Sequence, residues 1–168
     1  MGGSVTYARR VKRAEELVAD LGLPRPLTAE TLHAHMESVR GQRIVIQPAT
    51  ARMLEVGICG LWLEVAGEGF ERIHYAPTDS AVHRQQFINH EFGHMILNQN
   101  QELLSADRVA LLAPLIPLDA IAYALARSQF TDETEALAEA IGDRLALLML
   151  EDGPEAAQGP RTGFRRVL

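Results

Sequence analysis

The sequence predicts an α+β domain in which a small antiparallel sheet of about three strands packs with helices. Three observations carry that expectation. Apolar residues recur at helical spacing over residues 5–40; between Arg43 and Tyr75 the pattern changes to short β-branched and apolar runs around a glycine-rich turn; from Ser80 onward helical spacing returns. The chain has 168 residues, of which 47% are hydrophobic and 23% charged, a size and balance suited to one buried core. The expected layout is a single domain over 1–151, with a helical part at 5–40, a sheet at 43–75, a central helix at 80–98 and C-terminal helices over 105–151. A basic tail, 152–168, is expected to be flexible.

Residues 5–21 place Val11, Ala14, Val18 and Leu21 on one helical face, and Gly22 stops the helix. Pro24 and Pro26 enforce a bend. Thr28 suits the N-cap of a second helix reaching Arg40, with Leu32, His35, Met36 and Val39 as its inward stripe and Gly41 as its end. Ile44–Ile46 and the apolar stretch Gly57–Val65 suit strands, and Gly67-Glu68-Gly69 turns the second into a third strand over Phe70–Tyr75. The stretch Gly57–Val65 is expected to flank the site as a sheet edge to which an extended peptide can pair. Pro77, Thr78, Asp79 and Ser80 supply turn and capping chemistry for the helix at 80–98. Helical turns are expected near 105–112 and 118–127. The last helix opens at about Phe130 and buries Leu137, Ile141, Leu145 and Leu148.

Composition excludes several function classes. The formal net charge is −6; residues 1–43 carry seven basic and five acidic groups and residues 154–168 three and one, which leaves −10 between them. A body this acidic repels a phosphate backbone, so direct nucleic-acid binding is not expected. Cys59 is the only cysteine, which rules out an intramolecular disulfide, a Cys-x-x-Cys redox pair and a cysteine-ligated metal ribbon. The longest apolar run, residues 109–118, is broken by Pro114 and Pro117 and is too short to span a bilayer. No secretory leader is legible either, and these features together imply a cytoplasmic protein without a membrane partner.

The chemistry concentrates in Ile88-Asn89-His90-Glu91-Phe92-Gly93-His94-Met95-Ile96-Leu97, which contains His-Glu-x-x-His. On a helix, residues four apart share a face, so His90 and His94 can hold one ion, and neutral imidazoles suit Zn2+. Glu91, next to the first ligand, can act as general base towards a water, taking its proton and passing it to a departing amine. Gly93 leaves room for another backbone segment to approach the helix. A catalytic zinc site needs a third protein ligand and an open position. Glu135 and Glu139 stand at i and i+4 on the last helix, and from the residues alone either can ligate while the other supports.

These residues resemble the ImmA/IrrE metallopeptidases. His90-Glu91-Phe92-Gly93-His94 matches the first motif of that family, and Glu135-Ala136-Leu137-Ala138-Glu139-Ala140-Ile141-Gly142 is similar to its second, with Glu139 and Gly142 as departures. Gly60-Leu61-Trp62-Leu63 and the helix, sheet, helix order also look like actinobacterial-type members. The resemblance, over roughly residues 8–151, implies that Glu135 is the third zinc ligand. It also implies a compact α+β fold and cytoplasmic cleavage of a regulatory protein, such as a separate helix-turn-helix repressor in a stress-response setting.

His74, His83, Tyr75 and Tyr123 are further candidates for stabilising an oxyanion, Tyr75 foremost because it ends the third strand just ahead of the motif helix. His33 and His35 read as structural. Two functions remain from different classes: a zinc metallo-endopeptidase with Glu91 as base, or a non-catalytic zinc-fold module that binds a transcription regulator or toxin-antitoxin partner. A small-molecule hydrolase on the same site is a weaker third. Glu91 separates the first from the second, because a purely structural site has no use for a base beside an open position.

Overall fold

A computed structural model of the chain describes residues 2–55, 60–65, 69–97, 121–126 and 132–153. Helix α1 (Gly2–Asp20) buries Ala14 and Val18, four residues apart on one face. Helix α2 (Ala29–Arg40) starts where the sequence predicts. The Thr28 hydroxyl accepts the Thr31 N–H, the Thr31 hydroxyl accepts the Thr28 N–H, and Gly41 ends the helix in the left-handed conformation with φ +67°. Leu32 and Met36 form its buried stripe, while Val39 is exposed, contrary to expectation. The inward row runs Leu32, Met36, Arg40 at four-residue steps, and Arg40 takes the place predicted for Val39. His35 Nε2 lies 3.0 Å from the Leu21 carbonyl just past the end of α1, linking the two helices.

The sheet has four strands, β1 (Arg43–Pro48), β2 (Gly60–Val65), β3 (Phe70–Tyr75) and β4 (Ile121–Ala126), in the order β1-β3-β2-β4. The β2–β3 hairpin is antiparallel as expected, with Gly69 in the left-handed conformation. Two features differ from the sequence reading. The β1–β3 pair is parallel, because the chain crosses from β1 through the short helix α3 (Ala51–Glu55) to β2 and only then returns to β3 beside β1. The segment Ile121–Ala126, expected to be helical, forms β4 antiparallel to β2; its alanine-rich sequence favours a helix locally, and pairing with β2 overrides that weak preference. β2 is therefore internal rather than an edge, and a peptide cannot add to it there. The turns expected at 105–112, the beginning of the predicted second strand at 57–59 and Cys59 lie outside the described residues.

α2 closes the outer edge of β1. In a parallel pair, both backbone groups of alternate residues point away from the partner strand. Those of Ile44 are taken up by α2: its N–H donates to Glu37 Oε1 at 2.8 Å, and its carbonyl lies 2.7 Å from His33 Nε2. From the end of α2, Arg40 reaches the fully buried Glu71 of β3 at 2.7 Å, and its guanidinium lies 4.8 Å over the Trp62 ring. The Trp62 indole N–H donates to the other Glu71 oxygen.

Helix α4 (Ala81–Ile96), capped by the Ser80 hydroxyl, packs on the sheet face that carries Trp62 and Ile73. Helix α5 (Asp132–Glu151) packs against α4 and α1 through Ile141, Leu145 and Leu148, as its periodicity predicts. These side chains join Leu32, Met36, Ile88 and Phe92 in one core. Asp152, assigned to the tail by the sequence reading, belongs to the folded part. Its carboxylate accepts from Arg25 Nη1 and from the Leu27 N–H, both at 2.6 Å, and these partners hold it below the usual carboxylate range. Residues 154–168 lie outside the described residues.

Candidate metal centre

All residues from Ile88 to Met95 are buried, so this half of α4 is enclosed on every side rather than on one stripe. Asn89, His90, Glu91 and His94 are thereby withdrawn from water, an arrangement that is costly unless the groups serve one another or a ligand. Asn89 accepts the Gln85 side-chain N–H at 2.9 Å. The i, i+4 spacing brings the two rings together edge to face, with centroids 4.7 Å apart and Nε2 atoms at 3.0 Å.

Glu135, in the first turn of α5, supplies the carboxylate. Its Oε1 lies 3.3 Å from His94 Nε2 and its Oε2 lies 3.5 Å from His90 Nε2. Donor atoms held tetrahedrally about 2.05 Å from one zinc ion stand about 3.3 Å apart; the two imidazole nitrogens at 3.0 Å, with one Glu135 oxygen 3.3 Å from His94 and the other 3.5 Å from His90, fall in that range. His90, His94 and Glu135 form a cluster that can hold a metal ion. Glu139, the alternative acid, is exposed; with His83, Phe87, His90 and Asp143 it lines a cleft of about 250 Å³ between α4 and α5.

The close approach of the two helices places Glu135 beside the imidazoles. A Cβ on Gly93 would stand 3.1 Å from both the Cα and the carbonyl carbon of Ala138, and closer still to its carbonyl oxygen. One on Gly142 would stand 3.2 Å from the backbone of Asn89 and His90. The helices thus meet backbone to backbone, and Glu135, one turn before Ala138, is brought over the two imidazoles. The space that the sequence attributes to Gly93 is filled by α5.

Glu91 is 3% exposed and turns its carboxylate towards Gly60 at the start of β2. Gly60 escaped the sequence reading as a site residue. Its one signal is a glycine within a strand, which marks a close approach by another group. Tyr75 is the Cα partner of Gly60 across the hairpin, and its ring packs against the hydrophobic core. His74 leaves the sheet on the face opposite Ile73, away from α4, with its Nε2 3.3 Å from Gln47 Nε2. Burial, reinforced by the charge of Arg72, pushes its pKa down to about 4, so it is neutral at pH 7. His83 is exposed in the first turn of α4, and of Tyr123 the structure describes only the backbone, paired with Glu64.

No protein-family model, curated protein or solved structure matches the chain. The chemistry of the site therefore rests on its own geometry.

Proposed function

We propose that the protein is a zinc metallo-endopeptidase that hydrolyses a peptide bond in a regulatory protein. The observation that carries this reading is the convergence of Glu135 on the two imidazole Nε2 atoms beside a second, separately held carboxylate, Glu91. Two histidines and one carboxylate are a catalytic rather than a structural zinc set, because they leave a coordination position open. When bound, zinc supplies Lewis-acid polarisation of the scissile carbonyl and favours deprotonation of water at neutral pH. The chain supplies the rest. His90, His94 and Glu135 orient the ion, Glu91 takes the proton from the attacking water and returns it to the departing amine, and the enclosing helices limit access by bulk water.

The resemblance to the ImmA/IrrE metallopeptidases supports the same reading and suggests the substrate class, a separate helix-turn-helix regulator acted on in the cytoplasm. Among the described residues no helix is long and apolar enough to cross a membrane. A non-catalytic module that binds such a regulator is the second reading; the buried Glu91, which a structural metal site does not need, favours the enzyme.

The test pairs two variants. Zinc content and cleavage of purified helix-turn-helix regulators, read by mass spectrometry, are measured for wild type, Glu91→Gln and His94→Ala. Glu91→Gln should keep its zinc and lose a factor of roughly 10² to 10⁴ in rate. His94→Ala should lose the metal itself. Cleavage by Glu91→Gln at the wild-type rate removes the mechanism, and tight binding of a regulator without cleavage by any form moves the assignment to the module.

A further inference from the structure

Gly60 opens β2 directly across from Tyr75, on the same face as Trp62 and hence on the face that α4 covers. A glycine paired in a sheet contributes no side chain to the packing and often marks a close approach by another group, so its presence calls for a cause. Backbone conformation is not that cause: the left-handed glycines among the described residues are Gly22, Gly41 and Gly69. The cause lies in what a side chain would meet. A Cβ built on Gly60 has three nearest neighbours within 4 Å, and all three belong to Glu91: Oε1 in hard contact, Cδ at 3.3 Å and Cγ at 4.0 Å. Every other glycine among the described residues with neighbours within that distance faces backbone atoms of a helix.

We infer that Gly60 is a positioning residue for Glu91: the missing side chain forms a notch in the sheet that receives the carboxylate and fixes it relative to the imidazoles on its own helix. This inference rests on the role of Glu91 as base. A helix carries its side chains with rotamer freedom, and Glu has three rotatable bonds along which its carboxylate can stray. The histidines are held by each other and by Glu135 across the cluster. For Glu91, the strand backbone at Gly60 is the wall against which the carboxylate rests. The notch thus provides room for the carboxylate where it lies, and a methyl group at position 60 would occupy that place.

A displacement of about 1 Å in a reacting group can cost about 10²-fold in rate, so Gly60→Ala should lower kcat by about that factor with little change in KM and with zinc content equal to wild type. Two cycles test the assignment. In the first, turnover of fluorescein-labelled casein is compared for wild type, Gly60→Ala, Glu91→Gln and the double variant. Gly60→Ala should add no further loss once the base is gone. The second needs neither activity nor metal: the melting temperature of the metal-free protein is measured for wild type, Gly60→Ala, Glu91→Ala and their combination. Alone, Gly60→Ala should lower it. Combined with Glu91→Ala, which empties the notch, the same substitution should be neutral or raise it, because alanine suits a strand better than glycine.

The inference is overturned if the penalty of Gly60→Ala persists unchanged in the Glu91→Ala background, if Gly60→Ala loses its zinc, or if it turns over casein at the wild-type rate. If wild type cleaves no casein, the peptidase reading is decided by the regulator assay above, and the stability cycle decides whether Gly60 holds Glu91.

Discussion

Substituting Gly93 by alanine tests the idea that the separation of α4 and α5 makes the metal centre. The added methyl carbon would lie 3.1 Å from the Cα and carbonyl carbon of Ala138, and nearer still to its carbonyl oxygen. Comfortable carbon–carbon contact begins at about 3.5 Å and backbone cannot rotate aside, so the helices must part by roughly 1 Å. Metal ligands tolerate departures of about 0.2 Å, so a shift of that size takes the Glu135 oxygens, now 3.3 and 3.5 Å from the imidazole nitrogens, out of a shared coordination sphere. Zinc affinity should fall by about 10- to 100-fold, the usual consequence of misplacing a ligand. Stability changes less, because overpacking costs about 1–3 kcal/mol while replacing a mid-helix glycine returns about 1 kcal/mol of helix propensity. The net loss is at most about 2 kcal/mol, a fall of up to about 8 °C for a chain of this size. Competition with a chromophoric chelator measures the first effect, and thermal unfolding of the metal-free protein the second. A Gly93→Ala protein that binds zinc as tightly as wild type would refute the argument that this contact sets the site.

The structure implies three further outcomes. After dialysis, Glu135→Ala should retain well under one zinc per chain while Glu139→Ala retains its metal, since Glu139 is exposed; elemental analysis separates the two acids. Glu71→Ala leaves the half-buried Arg40 and the buried Trp62 indole without their carboxylate and should cost up to about 3–5 kcal/mol in a urea titration, whereas an equal-sized apolar replacement of both Arg40 and Glu71 should cost much less. His74 has a folded pKa pushed down to about 4 from an ordinary 6.5, so below pH 6.5 the unfolded chain takes up a proton that the folded protein refuses. Stability from this group is complete above pH 6.5 and is lost as pH falls towards 4, by up to roughly 3 kcal/mol. Melting curves of the metal-free protein between pH 7 and 4.5 should therefore be flatter for His74→Gln than for wild type, and parallel curves would contradict the assignment.

The sequence by itself determined the parts of this protein whose information is local. Apolar spacing located α1, α2, α4 and α5, Thr28 and Ser80 marked two helix starts through their own hydroxyls, and Gly41 and Gly69 marked the turns that need a left-handed residue. His90 and His94 were legible as a pair because four residues make one helical turn, a rule that holds wherever the helix goes. What depends on distant segments was not legible. Strand order is a matter of which edges meet: β1 turned out parallel to β3, β2 was enclosed by a fourth strand, and the alanine-rich β4 gave up its helical preference to pair with it. Glu135 and Glu139 are equivalent by spacing, both on one face of α5, and nothing local ranks them. The family resemblance pointed to Glu135, but the physical reason that it, rather than Glu139, lies beside the imidazoles is the point where α5 crosses α4. That point is set by three small residues, Gly93, Ala138 and Gly142, whose missing bulk lets two backbones touch and leaves Glu135 over the imidazoles with Glu139 in the open cleft.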